Sequence, residues 1–300
     1  MDRLHLIKVF VAVVDAQGLS GAARKLRLSP PAVTRAINEL EANLGVRLLT
    51  RTTRVVRVTE AGERYADNCR RILAELVEAD KEAAGGHGLA RGHLTVTAPV
   101  VFGAMHVMPI VTEFLQRCPE VTASCWFFDR VVNMLEEGID VGVRIGDLPD
   151  SSMQAIRVGS MRVVVCAAPN YLNERGVPKS PDDLATHVTI AAGSATSETE
   201  WHVVERGKQR MIKLTPRLQT ITSDSAVAAA LSGFGLTNVL YYKVADHLKA
   251  GRLATVLSKY EPPALPVHVV HREGRHASKK TRAFIDLAVE HLRANPTLKQ

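Results

Sequence analysis

The segment Gly18–Gly62 reads GLSGAARKLRLSPPAVTRAINELEANLGVRLLTRTTRVVRVTEAG and contains the clearest local signals of the 300-residue chain. Ser29 and Pro30 are typical of a helix start, because serine caps free N–H groups and proline suits the first helical position. This helix is predicted to end near Leu44, and a shorter helix with Ser20 as its N-cap is predicted before it. Two short helices joined by a tight turn form a helix-turn-helix.

The second of these helices has an apolar face and an opposite face that is small, polar and cationic. The apolar positions recur at helical spacing at Val33, Ile37, Leu40 and Leu44. The outward positions are Pro31, Thr34, Arg35 and Asn38. In a DNA major groove, arginine pairs with guanine, asparagine pairs with adenine, and apolar groups contact the thymine methyl. These four residues, together with Ser29, are therefore predicted to bind DNA. They also fit an ordinary solvated surface, in which Ser29 serves only as a helix cap.

A short two-stranded wing is predicted after the second helix. The residues that flank its polar tip in a strand pattern are Val46, Leu48, Val56 and Val58. Arg51 and Arg54 at the tip are placed to meet phosphates or a minor groove. Thr52 and Thr53 between them would supply neutral hydrogen-bond donors. A wing beside the helix-turn-helix favours the DNA-binding interpretation of the helix face.

The excess positive charge of the chain is concentrated in the same region. The formal net charge is +7, from 38 Lys and Arg against 31 Asp and Glu. Residues 1–58 hold ten of these cations and four of the anions, a balance of +6, whereas the other 242 residues carry +1. A basic head joined to a near-neutral body is typical of a protein whose head binds a polyanion.

The segment Gly18–Gly62 resembles the winged helix-turn-helix of LysR-type transcriptional regulators. The residues that match the family in order and spacing are Ala22-Ala23, Leu26–Ser29, Leu40-Glu41, Leu44-Gly45, Leu48-Leu49, Arg51-Thr52 and Thr59–Gly62. The sequence departs from the family at Pro30-Pro31, where a polar residue commonly stands beside the cap, so one base contact is expected to be apolar. The resemblance implies a winged helix-turn-helix DNA-binding domain over residues 1–59.

A long helix is predicted after the wing, with Thr59 as its N-cap and Glu60 and Glu63 in its first turn. Its apolar residues recur with a mean spacing near 3.5 residues, at Ala61, Tyr65, Cys69, Ile72, Leu76, Ala79 and Ala83. This stripe suits packing against either a second helix or the chain's own body. The resemblance implies dimerisation through this linker helix, so a homodimer or homotetramer is expected. The glycine cluster at 85–88 is predicted to form a flexible joint, which places the linker at 60–91.

Residues 92–300 alternate between strand-like and helical patterns, which indicates an α/β domain with largely parallel sheets. The predicted strands are Leu94–Thr97, Val121–Phe128, Ile139–Arg144, Met153–Val158, Val163–Ala167, Val188–Ala191, Leu236–Val239 and Val267–Val270. The predicted helices are Ile110–Arg117, Val131–Glu137, Ala226–Ser232, Val244–Ala250 and Lys279–Arg293.

This body resembles the effector-binding domain of LysR-type regulators. The matching segments are Asp140–Gly146, Ala168–Leu172, Ala250–Leu253 and Arg282–Asp286. The resemblance implies a periplasmic-binding-protein-like fold, in which two α/β lobes are crossed twice by the chain and enclose an effector cleft. The crossings are expected near Met161-Arg162 and Pro266-Val267. Lobe I then covers about 92–161 and 267–300, and lobe II about 162–266.

The family's effector contacts map onto strand ends and loops of both lobes. They are Pro99, Val100, Val101, Phe128, Arg144 and Gly146 in lobe I, and Ala192, Gly193, Ser194, Ser223 and Asp224 in lobe II. Many members hold an effector carboxylate with Ser or Thr where this chain has Val100-Val101, so a larger or more apolar effector is expected instead of a small dianion. Arg144 suits a carboxylate partner, although an arginine at a strand end also forms structural ion pairs, and Phe128 also suits a core position.

The motifs that the sequence lacks argue against several classes of protein and of binding site. No cofactor or metal is expected, because the eleven His include no H-x-x-x-H pair and the four Cys no C-x-x-C pair. No P-loop, G-x-G-x-x-G, G-x-S-x-G or H-E-x-x-H motif is present, which argues against an enzyme. The lack of a long apolar run and of a signal-peptide pattern predicts a cytoplasmic protein without a membrane partner. Cys166 lies in an apolar run and is predicted to be structural.

The sequence therefore predicts a DNA-binding transcriptional regulator controlled by a small-molecule effector bound between two lobes. Its expected partners are double-stranded promoter DNA, the effector, further copies of the chain and RNA polymerase. The alternatives are a redox-responsive regulator of the same fold, and a ligand-binding protein or enzyme that uses the α/β body.

Overall fold

The computed structural model describes residues 2–51, 56–83, 90–148, 153–193, 199–272 and 278–299. The predictions for Thr52, Thr53, Arg54, Ser194 and the glycine cluster at 85–88 lie outside these residues, as do the side chains of Arg51, Ala79 and Ala83. The chain divides into two compact units, Met1–His93 and Leu94–Gln300. Each unit has its own apolar core.

The first unit consists, in its described residues, of helices and a small wing. Its elements are α1 (Arg3–Asp15), α2 (Leu19–Leu26), α3 (Pro30–Leu44), β1 (Leu49–Arg51), β2 (Val56–Val58) and α4 (Glu60–Ala83). β1 and β2 pair antiparallel, with Leu49 opposite Val58, which confirms the predicted wing. α1, α2 and α3 enclose a core in which Phe10, Ile37 and Leu40 are almost completely buried.

The helix starts in this unit follow backbone geometry as well as residue type. Ser29 caps α3 as predicted, since its Oγ accepts a hydrogen bond from the Ala32 N–H at 3.3 Å. The prediction that Ser20 caps α2 was wrong. α2 begins at Leu19 with Gly18 in the N-cap position, so Ser20 lies inside the helix. Glycine is an accepted N-cap residue, and here it starts the helix before the serine is reached.

The apolar stripe of the linker helix α4 packs on its own unit near the start of the helix and is exposed further along. Thr59 caps α4 as predicted, by accepting a hydrogen bond at 2.9 Å from a backbone N–H in the first turn. In the first half, Cys69 is buried and Tyr65 half-buried in the core of the same unit. Further along, Ile72 of the stripe and the neighbouring Val77 are exposed. The beginning of α4 therefore belongs to its own unit, while the later part presents apolar side chains to solvent.

The second unit is built from alternating strands and helices. In chain order they are β3 (Gly92–Ala98), α5 (Val100–Phe102), a π-helical turn (Gly103–Val107), α6 (Met108–Arg117), β4 (Val121–Phe127), β5 (Val141–Ile145), β6 (Gln154–Met161), β7 (Val163–Ala167), α7 (Pro169–Arg175), β8 (Thr189–Ala192), β9 (Thr199–Glu205), β10 (Lys208–Leu214), β11 (Leu218–Thr220), α8 (Ser223–Leu231), β12 (Leu236–Leu240), α9 (Ala245–Lys249), β13 (Ala254–Val256), β14 (Leu265–His271) and α10 (Lys279–Ala294). All eight predicted strands are present, with ends shifted by up to three residues. No described helix is both long and apolar enough to cross a membrane.

Two five-stranded sheets define two lobes in this unit. Lobe I contains the sheet β4-β3-β5-β14-β6 with α6 and α10 packed on it, and lobe II contains the sheet β11-β8-β12-β7-β13 with α8. The chain passes from lobe I to lobe II at Arg162. The chain returns to lobe I before Leu265. This crossing was expected near Pro266-Val267, but both residues already lie inside β14.

The sheets are mixed, not largely parallel as predicted. β14 runs antiparallel to β5 and β6, and β7 runs antiparallel to β12 and β13. β6 and β7, which flank the crossing at Arg162, belong to different sheets, and each runs antiparallel to the strands with which it pairs.

Several segments of the second unit differ from the predicted secondary structure, among them β11 and β13, which were not predicted. Val131–Glu137 does not form a helix and the turn there covers 134–138, because the Asn133 Oδ1 accepts from the N–H groups of Leu135 (3.1 Å) and Glu136 (3.4 Å). Such side-chain bonds compete with helix formation. The hairpin of β9 and β10 was not predicted. Its two-residue turn, Arg206-Gly207, has positive φ at both positions (51° and 75°), as tight hairpin turns require.

Candidate functional site

The outward face of α3 is free of the core of its unit. Pro31, Arg35 and Asn38 are exposed. Thr34 is half-buried, and its Oγ1 donates to a backbone carbonyl one turn earlier at 3.0 Å, so its hydroxyl is already used within the helix. The Ser29 oxygen serves as the cap. Three of the residues that were predicted to contact bases therefore present their side chains to solvent.

Further exposed cations flank α3 along the chain and were not assigned from the sequence. They are Arg24, Arg27, Arg47 and Arg57. Arg27 occupies the left-handed C-cap position of α2 (φ 55°), three residues before α3. Lys25, in contrast, lies 3.6 Å from the Asp15 carboxylate. The exposed guanidinium groups are candidates for phosphate contacts. The charge balance of the sequence had assigned such contacts to residues 1–58 without naming these four arginines.

Glu41 ties the wing to α3, a role that the sequence analysis did not identify. Its Oε1 accepts from the backbone N–H groups of Leu48 (2.8 Å) and Leu49 (2.9 Å). From the other side, a Cβ on Gly62 would lie 2.2 Å from the Leu48 carbonyl oxygen, so only glycine lets α4 approach this closely. These contacts fix the start of the wing within the unit.

Glu41→Ala is expected to lower the free energy of unfolding of the first unit by about 2 kcal/mol, because two backbone N–H groups lose a charged acceptor. Glu41→Gln keeps a neutral acceptor in the same place and is the matched control, with a smaller loss expected. Urea unfolding followed by circular dichroism measures both variants. Wild-type stability in Glu41→Ala would show that these hydrogen bonds do not hold the wing.

The predicted cleft lies between the two lobes of the second unit and has a volume of about 740 Å³. Seven of the residues mapped from the family line it: Pro99, Phe128, Arg144, Gly146, Ala192, Gly193 and Ser223. Val100, Val101 and Asp224 do not line it. Val100 and Val101 belong to α5, and Asp224 lies 3.7 Å from the ammonium group of Lys243.

Buried hydrogen-bond donors without partners lie at this cleft. Arg144 Nη2 is buried and makes no hydrogen bond, and the buried Tyr242 hydroxyl has no acceptor. Burial lowers the pKa of Arg144, a shift that Glu137 opposes and Arg130 increases. Burial also raises the pKa of Tyr242, so its hydroxyl remains a donor at neutral pH. Because an unpaired buried donor costs about 1–3 kcal/mol, both groups would be stabilised by an acceptor that reached them from the cleft.

Two other cations at the cleft already have carboxylate partners. Arg130 is bonded through both terminal nitrogens to Glu137, at 2.9 and 3.0 Å. The Lys243 ammonium is 5% exposed and lies 3.7 Å from Asp224. Among the described residues of the cleft wall, Arg144 is the cation that has a buried nitrogen, Nη2, without a hydrogen-bond partner.

Most of the remaining cleft wall is apolar. The apolar lining residues are Phe128, Val131, Val132, Met134, Ile145, Leu148, Met153, Ile221, Leu240 and Val270. Tyr242 of lobe II also packs edge-on against Phe102 of lobe I, with ring centroids 5.3 Å apart. Apolar walls with a few placed polar groups are typical of small-molecule sites. Tyr242 was not predicted as a cleft residue, although it follows the carboxyl end of β12, where ligands of α/β folds commonly bind.

All four cysteines are free thiols. Cys166 is buried in β7, and burial raises its pKa to about 12. Burial also raises the pKa of Cys69 in the first unit and of Cys125 in lobe I. A thiol that stays protonated is a poor nucleophile, so these observations do not favour the redox-responsive alternative. Across the described residues, no three His, Cys, Asp or Glu side chains are grouped to hold a metal ion.

Two family descriptions match this chain. "Bacterial regulatory helix-turn-helix protein, lysR family" matches residues 4–63. "LysR substrate binding domain" matches residues 87–293, which is more than half of the chain. The two matched regions contain the outward face of α3 and the cleft between the lobes.

Similar proteins span nearly the whole chain. An HTH-type transcriptional repressor of Pseudomonas aeruginosa is 32% identical over 300 residues, which cover 99% of this chain and 95% of the relative. The solved structure of CrgA, a LysR-type transcriptional regulator from Neisseria meningitidis, is 29% identical with a TM-score of 0.61 and covers 96% of this chain and 98% of that chain. The Vibrio cholerae virulence activator AphB, at 24% identity and a TM-score of 0.62, shares the fold over 96% of this chain and 99% of its own.

Proposed function

Because this chain belongs to the LysR-type family of transcriptional regulators, we propose that α3 and the wing read a promoter sequence under the control of an anionic effector in the cleft. The chain has a helix-turn-helix DNA-binding domain and an effector-binding domain, and its relatives are named regulators of transcription, not enzymes. The observation that carries the proposal is the exposed polar face of α3 within a head of charge +6.

The DNA contacts are assigned by the chemistry of each side chain. Arg35 pairs with guanine and Asn38 with adenine in the major groove, while Pro31 contacts an apolar thymine methyl. Thr34 contributes its methyl group, because its hydroxyl is bonded within α3. The wing tip at 51–54 binds phosphates or a minor groove, which positions the domain without reading sequence.

Arg35→Ala is expected to lower the free energy of discrimination at one base pair of each half-site by about 1–3 kcal/mol, because a bidentate contact to guanine is lost. Asn38→Ala should do the same at a neighbouring position. Asn43→Ala is the matched control, since Asn43 is an exposed asparagine of α3 outside the predicted face. Binding to a randomised operator library measures the preference at each position. If Arg35→Ala left the sequence preference untouched, its assignment to base readout would be wrong.

The effector is proposed to be an anion with an apolar body. Arg144 and Tyr242 supply buried donors for the anionic group, and the apolar walls contact the rest of the molecule. A cleft of about 740 Å³ supports the expectation of an effector larger than a small dianion. Binding between two lobes favours their closed arrangement, which is how the effector controls the regulator.

The regulator is proposed to act as a homodimer that assembles further into a homotetramer. Ile72 and Val77 in the linker at 60–91 are exposed, and packing against the same helix of a second copy would remove them from water. The two α3 helices of a dimer then bind half-sites about one helical turn, or a small multiple, apart. Binding at promoters places the protein in the cytoplasm with its DNA and makes RNA polymerase a further proposed partner. The effector domain is proposed over 92–300.

A further inference from the structure

The two most exposed large apolar side chains in the described part of the chain lie at the same cleft. Val131 is 90% exposed and Ile221 is 85% exposed, and both line the cleft between the lobes. Val131 lies in lobe I, in the segment where a helix was predicted and none forms, and Ile221 lies just before α8 in lobe II. Each lobe therefore contributes one exposed apolar side chain to the cleft.

The side chain next to each of these two residues along the chain makes a hydrogen bond. Val131 follows Arg130, whose guanidinium is bonded twice to the Glu137 carboxylate. Ile221 precedes Thr222, whose hydroxyl caps α8 by accepting from a backbone N–H at 3.3 Å. Single exposed apolar side chains are common on protein surfaces. Two that line opposite lobes of one ligand cleft are positioned to contact the same ligand.

The size of the cleft indicates what that ligand must fill. A volume of about 740 Å³ holds about 25 water molecules at about 30 Å³ each. A small anion bonded only to Arg144 and Tyr242 would leave most of the cleft filled with water. Both exposed side chains would then remain hydrated. A ligand whose apolar part extends to Val131 and Ile221 would remove both from water.

We propose that Val131 and Ile221 determine effector specificity by contacting the apolar tail of an amphipathic carboxylate, so that the cleft selects for tail length. This inference rests on the proposed function, in which Arg144 holds the anionic group. Each methylene removed from water is worth about 0.8 kcal/mol, which is about a fourfold gain in affinity. Because the two side chains belong to different lobes, a tail that contacts both also favours lobe closure.

The test compares straight-chain acids of increasing length on full-length protein. Wild type, Val131→Ser and Ile221→Ser are titrated calorimetrically with propionate, hexanoate and decanoate. Val177→Ser is the matched control, because Val177 is 57% exposed but does not line the cleft. Wild type and control should bind decanoate most tightly. Both cleft variants should bind decanoate about five- to tenfold more weakly, with less than about a twofold change for propionate.

The outcomes separate this inference from the function on which it rests. The same dependence on tail length in the cleft variants as in wild type would overturn it. A changed sedimentation coefficient with unchanged affinities would also overturn it, since the two residues would then belong to a self-association surface. Equal affinity of wild type for all three acids overturns the tail-length inference alone. If no acid binds at millimolar concentration, the proposed anion site fails and the inference fails with it.

Discussion

The affinity of this regulator for promoter DNA is expected to fall about 10³-fold between about 50 and 200 mM salt. Each phosphate neutralised by Lys or Arg contributes about −0.9 to the slope of log affinity against log salt concentration, so about six contacts give a slope near −5. Residues 1–58 carry a charge balance of +6, whereas the other 242 residues carry +1. The salt dependence is therefore expected to arise from the head.

Single cation removals test where the salt dependence arises. Arg54→Ala is expected to weaken binding to all DNA sequences alike and to reduce the slope by about 0.9 for each bound head. Lys249→Ala removes an exposed cation from the second unit and is the matched control, with no change in slope expected. Fluorescence anisotropy of labelled duplex DNA over a salt series measures both. Binding that is insensitive to salt would contradict the assignment of the positive charge to DNA contacts.

Arg144→Ala is expected to weaken effector binding by about 30-fold or more. The wild-type guanidinium is buried with Nη2 unpaired, so truncation removes the charged partner of the anion. Loss of one partner from a buried charge pair costs about 2–5 kcal/mol, and the lower limit corresponds to about 30-fold in affinity. Arg144→Lys should recover only part of this loss, because lysine cannot reproduce the bidentate geometry of arginine.

Arg130→Ala provides the matched control for this prediction. Arg130 lines the same cleft, but both its terminal nitrogens are already bonded to Glu137. Its removal is therefore expected to change effector affinity by less than about threefold, as for an exposed pair. Calorimetric titration with decanoate measures all three variants. Equal losses in Arg130→Ala and Arg144→Ala would show that the anionic group is not held at Arg144.

The structure of the first unit could be predicted in detail because it depends on residues that are close in sequence. Ser29 and Pro30 begin α3, and Gly45 ends it in a left-handed conformation with φ 68°. The wing followed from valines and leucines that flank a polar tip. The error at Ser20 arose because α2 begins two residues earlier than predicted, with Gly18 in the N-cap position.

The features that sequence reasoning missed depend on contacts between residues that are far apart along the chain. The bond from Glu41 to the wing forms only after the chain turns back on α3. Tyr242 reaches the cleft because lobe II places it against Phe102 of lobe I. The unpaired state of Arg144 is a property of the folded cleft, and the sequence alone did not distinguish it from a structural ion pair.

The central claim is that α3 of the basic head reads a specific promoter sequence. Selection of genomic DNA fragments by the full-length protein at physiological salt tests this claim most directly. The predicted result is a small set of fragments that share paired half-sites about one helical turn, or a small multiple, apart, and a loss of this selection in Arg35→Ala. Retention of all fragments alike, or of none, would contradict it.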